Sequence, residues 1–169
     1  MNEEIVNRVA NSKLVTIDLE EFYPEGNRIS LDMKQWLYEG LILKEKDFRQ
    51  KLKEHDWEQY QDAYVAIQCS SDAILPSWAT LLVTTYLQPY AKFITSGNLN
   101  ELESLIFSEV IQNINLDNYT DKPVIIKGCS EKNIPESAFV LLTQKVQKVA
   151  KSVMFGEACS TVPLFKKPK

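Results

Sequence analysis

Apolar and polar positions alternate early in this chain and then recur at helical spacing. Lys13-Leu14-Val15-Thr16-Ile17-Asp18-Leu19 alternates and predicts a strand. Tyr23-Pro24-Glu25-Gly26-Asn27 is a turn signal, and Ile29 to Asp32 predicts a second strand, so a hairpin-like feature is expected here. Leu41, Phe48 and Leu52 fall at helical spacing among charged residues, which predicts an amphipathic helix over roughly 43–54. From residue 62 the pattern reads strand, helix, strand, helix. Ala63 to Gln68 is a β-rich run. Pro76 opens a helix carrying Trp78, Leu81, Leu82 and Thr85 on one side. Phe93-Ile94-Thr95 is a short strand, and Leu102, Leu105, Ile106, Val110 and Ile114 mark another helix. Pro123 to Lys127 is a strand, Pro135 opens a helix with Phe139, Leu142, Val146 and Val149, and Ser152 to Phe155 is the last strand.

The segment from Pro76 to Gly97 aligns without gaps to that from Pro135 to Gly156. Pro76/Pro135, Ala79/Ala138, Leu82/Leu141, Thr84/Thr143, Gln88/Gln147, Ala91/Ala150, Lys92/Lys151 and Gly97/Gly156 match. Upstream of each lies an apolar strand followed by cysteine and serine, shifted by one residue. A duplication explains this echo, and so does the Leu and Ala content that amphipathic helices share. Either way the expected class is α/β: a mainly parallel sheet built from two βαβ-like units, preceded by a small N-terminal β/α subdomain. The whole chain, 1–169, reads as a single domain, with 1–61 as the subdomain and 62–169 as the α/β core.

Composition narrows the function classes. The net charge of −4 disfavours general nucleic-acid binding, which needs a basic footprint. The only basic cluster is the tail Lys166, Lys167 and Lys169. The acidic start Met1-Asn2-Glu3-Glu4 does not read as a signal peptide, and no long apolar stretch follows, so a cytoplasmic protein without a membrane span is expected. In that reducing compartment three well-separated cysteines do not read as a disulfide framework. Trp36, Tyr38, Trp57, Tyr60 and Tyr64 form an aromatic-rich stretch, read first as core or as the interface of a homodimer. There is no Walker loop and no GxGxxG, so phosphate and dinucleotide cradles have no support.

The candidate chemistry lies in Cys69, Cys129, Cys159 and His55, the chain's only cysteines and histidine. Three thiolates and one imidazole are an accepted tetrahedral set for zinc, and thiolate also suits iron or an iron–sulfur cluster. Each cysteine stands at or just past the carboxyl end of an expected strand. In a parallel sheet those ends share one edge, where sites form. The expectation is a Cys3His-type metal site, with Asp72, Glu131 and Glu157 as substitute or supporting ligands. The absence of any CxxC pair weakens it. A second reading is thiol catalysis, with Cys129 activated near a helix start and His55 as base. A third is that the cysteines are small buried hydrophobes and the chain is a metal-free protein–protein interaction module.

The segments EEIVNRVANSKLVTIDLEEFYPEG, WLYEGLILKEKDFR, HDWEQYQDAYVAIQCSSDAI, LQPYAK, DKPVIIKGCS, LLTQKVQKVAKS and FGEACSTVPLFKK resemble the bacterial family called domain of unknown function 2480, found mainly in Bacteroidetes. The resemblance covers nearly the whole chain. It implies no reaction and carries over no catalytic residue. It does imply a genetic neighbourhood of iron–sulfur cluster assembly, hence assembly proteins as partners and a role linked to iron–sulfur protein maturation.

Overall fold

The computed structural model describes residues 13–157 and 159–168 of the chain. Residues 1–4, read above as an acidic start, and Lys169 of the basic tail lie outside the described residues. The strands and helices follow in the order β1 (Val15–Ile17), β2 (Arg28–Asp32), α1 (Glu45–Glu54), β3 (Tyr64–Gln68), α2 (Ser77–Leu87), β4 (Phe93–Ser96), α3 (Leu99–Asn113), β5 (Pro123–Ile126), α4 (Glu136–Gln147), β6 (Ser152–Glu157) and β7 (Ser160–Lys166). This is a mixed α/β chain. Its strands form two sheets where one was expected, and the chain divides into two compact units, residues 24–105 and residues up to 23 together with those from 106 onward. The first 61 residues are shared between the units, β1 in one and β2 and α1 in the other.

In the 24–105 unit the sheet order is β2-β3-β4, all parallel. β3 is central, and Tyr64 to Ile67 are all buried, which is why the sequence shows a continuous apolar run there instead of alternation. α1 buries Phe48 and Leu52, one helical turn apart, and carries the pairs Arg49–Glu45 and Lys51–Asp47 on its wet side. α2 buries Ala79, Val83 and Leu87. Of the stripe expected from its larger residues, Trp78 and Leu82 flank this buried line and pack against the core, while Leu81 and Thr85 are exposed. Four of the five expected interface aromatics, Trp36, Trp57, Tyr60 and Tyr64, are buried in the unit, and only Tyr38 is exposed. Glu103, the one buried charged side chain among the described residues, meets the Arg28 Nε at 2.7 Å. The same guanidinium donates to the carbonyls of Pro24 and Gly26 and lies over the Tyr64 ring.

In the other unit the order is β1-β5-β6-β7. β1, β5 and β6 are parallel, and β7 returns antiparallel on β6. Its core holds Ile17, Leu19, Phe107, Ile111, Val124, Ile126, Leu142, Val146 and Val153. The hairpin expected at residues 23–27 does not form. β1 pairs with β5 and β2 with β3, so that turn leads from one sheet into the other. β7 was not expected, because Pro163 interrupts its apolar run. Near its end β6 carries Gly156 at φ 126, where an added Cβ would stand 2.5 Å from the Ser160 carbonyl oxygen of β7.

The two units repeat one plan at the offset that relates Pro76 to Pro135. Phe48 corresponds to Phe107, Leu52 to Ile111 and Tyr60 to Tyr119. Asp62 and Asp121 both take positive φ, 56 and 55, and their amides bond the carbonyls of Tyr90 and Val149, again equivalent. Strand pairing keeps the offset: Val65 faces Ile94 as Val124 faces Val153. The first strands match as well. Thr16-Ile17-Asp18 and Ser30-Leu31-Asp32 each end in an aspartate that caps a following 3-10 turn, bonding the amides of Glu20 and Lys34.

Candidate functional sites at the strand ends

The carboxyl ends of the parallel strands gather polar side chains in each unit. In the unit built on β1, β5 and β6, Asp18 follows β1 and Lys127 follows β5, and their charged ends meet at 2.6 Å. The Asp18 hydrogen bond raises the Lys127 pKa, with Glu157 and Glu20 adding to it against the opposing effect of burial. Glu20 takes the Ser130 hydroxyl at 2.8 Å and the backbone amides of Glu131 and Lys132. The Lys132 amide and the Ser130 hydroxyl hold its carboxyl below the usual range. The Glu157 Oε1 is buried with no partner among the described groups. Cys129 and Cys159 are both free and exposed. They follow β5 and β6, neighbouring parallel strands, so both leave the sheet at the same edge.

In the 24–105 unit the corresponding edge carries Asp32, Cys69 and Ser70. Burial works to raise the Asp32 pKa, but the hydroxyl of Ser70 at 2.5 Å and the amides of Lys34 and Ser70 outweigh it and leave the carboxyl lowered. Cys69 is half-buried against the core, with Sγ 3.3 Å from the Ser71 hydroxyl.

His55 caps the end of α1, as its position after the helix suggested. Its ring lies among Trp36, Trp57 and Tyr60, with centroids 5.1, 4.7 and 5.8 Å away. The Nε2 is 3.1 Å from the Tyr60 hydroxyl and 3.3 Å from the Gln59 amide nitrogen. An amide nitrogen only donates, so the Nε2 lone pair is engaged within the protein. Burial lowers the His55 pKa, against a smaller opposite effect of Asp56.

The four residues expected to share a metal thus fall two and two: His55 and Cys69 in one unit, Cys129 and Cys159 in the other. Among the described residues no group of three His, Cys, Asp or Glu side chains is arranged to hold a metal ion. Among the described residues no helix is long and apolar enough to cross a membrane. The sequence reading overlooked Asp18, Glu20, Asp32 and Lys127. The signal for the two aspartates was present, since each closes a short strand in the same hydroxyl–apolar–Asp pattern.

A second kind of surface lies at the start of α2. Ile74 is 97% exposed, Leu41 56% and Ile42 53%. With Leu43, Ala73, Pro76 and Trp78 they line an open groove of about 600 Å³, and Glu45 and Asp72 supply its charge. Trp78 rests its ring on Phe48 and lies under the Arg49 guanidinium. Leu81, one turn further along α2, is 64% exposed.

By fold and surface this is a two-unit α/β protein with an open apolar groove and exposed thiols at one strand edge, a class defined without a reaction. The chain belongs to the family described as Protein of unknown function (DUF2480), whose model matches residues 3–167. No curated protein and no solved structure matches it.

Proposed function

We propose that this chain is a protein–protein interaction module that docks a partner on the groove beside α2. The observation that carries the reading is Ile74, almost fully exposed beside Leu41 and Ile42 at the mouth of the groove. Single exposed hydrophobes need no explanation, but several around one concavity mark a docking surface. α2 adds one anchor, Leu81, exposed on an outward side otherwise formed by Ser77 and Thr85. Burying one such isoleucine or leucine contributes about 1.5–3 kcal/mol, so three anchors give about 4.5–9 kcal/mol before the cost of association, and a micromolar complex needs further contacts along the groove. Asp72 specifies the partner's chemistry, an apolar segment with a basic residue beside it, since Glu45 is already paired with Arg49. Iron–sulfur assembly proteins are the first partners to assay.

The test places a photo-crosslinking residue at position 74 and, as control, at exposed Glu109. A protein captured at 74 alone supports the reading once a synthetic peptide from its apolar-basic segment binds the purified chain and Ile74→Asp weakens that binding roughly tenfold or more. Identical capture at both positions overturns it.

A second reading keeps the thiols for zinc or iron. It is supported by Cys129 and Cys159 leaving adjacent parallel strands at one edge, both exposed. Thiolate donors suit either metal. Elemental analysis of anaerobically purified protein tests it, with serine substitutions at each cysteine. Near-stoichiometric metal lost in each variant establishes the shared site, and a chain that takes up none on reconstitution removes it.

A further inference from the structure

The repeat exposes an asymmetry between two equivalent strands. β6 is flanked by β5 on one side and by β7 on the other. β4 is its equivalent in the 24–105 unit, and β4 pairs with β3 alone. The consequence shows in one residue pair. Val153 of β6 is fully buried, facing Phe165 of β7, whereas its counterpart Ile94 stays only partly buried.

Backbone geometry defines the open side. The amides of Phe93 and Gly97 reach the carbonyls of Ala63 and Ile67 on the β3 side. Alternation along the strand then turns the amides of Ile94 and Ser96 outward. Other sheet edges here are blunted. β7 carries Pro163 and ends at Lys166, with an irregular register on β6. β2 has a charged residue at each end, and β1 is only three residues long. β4, with the sequence Phe-Ile-Thr-Ser, has no charge, proline or bulge. Natural edge strands are normally protected, because a bare one templates pairing.

We propose that β4 is a strand-pairing edge for a second copy of this chain, joined antiparallel across a two-fold axis. Two observations select this occupant. The other repeat shows that this fold accepts an antiparallel strand on this edge, since β7 lies so on β6. A two-fold axis makes identical edges meet antiparallel, so β4 and its copy satisfy each other without any additional segment. The edge is uncharged, so the copies meet without like-charge repulsion along it. Four residues offer few ladder bonds, and the dimer is accordingly weak, of micromolar order. This surface is separate from the α2 groove and does not depend on the reading given to it.

Sedimentation of the full chain from low-micromolar to near-millimolar concentration tests the pairing, together with amide hydrogen exchange. The expected result is a reversible dimer in which the Ile94 and Ser96 amides become protected as concentration rises. Ser96→Pro removes an outward amide without touching the β3 ladder and should weaken association roughly tenfold or more. Leu81→Asp, on α2, should leave association unchanged. If Ser96→Pro does not fold, Ile94→Lys takes its place and wild-type exchange at Ile94 and Ser96 decides. A chain monomeric throughout, a dimer indifferent to the β4 variants, or exchange at those two amides independent of concentration overturns the proposal.

Discussion

His55 is a titrating group that the fold holds neutral. Its ring is packed among three aromatic side chains, and its Nε2 faces a hydroxyl and an amide. Burial depresses its pKa in the folded state. Above about pH 6.5 neither the folded nor the unfolded chain binds the proton, and the histidine adds no pH dependence. As pH falls through that value the unfolded chain takes up a proton that the folded one refuses, so stability declines. The decline ends once pH passes below the depressed folded value. His55→Phe keeps an aromatic ring in the cage and removes the titration. Urea denaturation from pH 7.5 to 5 should then show wild-type stability falling more steeply than that of the variant; parallel curves would mean the ring is solvated. Nothing in the sequence separated this role from metal ligation. A histidine after a helix beside tryptophan fits both, and the difference lies in Tyr60, which the chain brings back against the ring from five positions on.

At the scale of elements, helix ends show what side chains do that periodicity does not reveal. The Lys145 ammonium of α4 reaches the carbonyls of Ile111, Gln112 and Ile114 at 2.7, 2.8 and 2.7 Å. These lie at the end of α3 and just beyond it, where carbonyls lack helical partners and the dipole favours a cation. Lys145→Met keeps the stem and removes all three bonds. Chemical denaturation should show a loss of about 1.5–3 kcal/mol, the usual range for hydrogen bonds to a charged group, and equal midpoints would reduce the contact to a surface ornament. The sequence made the helices legible because their apolar spacing is strong, and α1 and α4 begin and end within a few residues of expectation. It misplaced one edge of the packed face of α2: Trp78 and Leu82 pack against the core as expected, while Leu81 and Thr85 face solvent. Ala79, Val83 and Leu87 centre the buried face, and the larger apolar residues beside them blur its limits. Strand partners were less legible than strands. β1 and β2 looked like a hairpin because the turn between them is local, while their true partners, β5 and β3, lie far along the chain.

For the molecule as a whole, the repeat decides how the cysteines should be read. The echo was visible between residues 76 and 156 because identical residues fall there. Its earlier half holds fewer identities, Phe48 with Phe107, Tyr60 with Tyr119 and Asp62 with Asp121, and is carried also by equivalent burial, Leu52 with Ile111. The strand register places Cys69 opposite Gly128 in the repeat, and Cys129 opposite Ser70. The two Cys-Ser pairs therefore do not occupy equivalent positions of the repeat, and the four-residue metal site rests on the strand ends and the ligand chemistry alone. Thiol reactivity separates the alternatives. In folded, metal-free protein, Cys129 and Cys159 should react quickly with a thiol reagent and half-buried Cys69 more slowly, with Cys129→Ser and Cys159→Ser each removing one fast equivalent. Under the Cys3His reading, zinc must protect all three thiols together, Cys69 included, because one ion holds them. Protection confined to Cys129 and Cys159 would reduce the metal site to the edge shared by β5 and β6. Unchanged rates with zinc present would leave both thiols to solvent and the α2 groove as the functional surface.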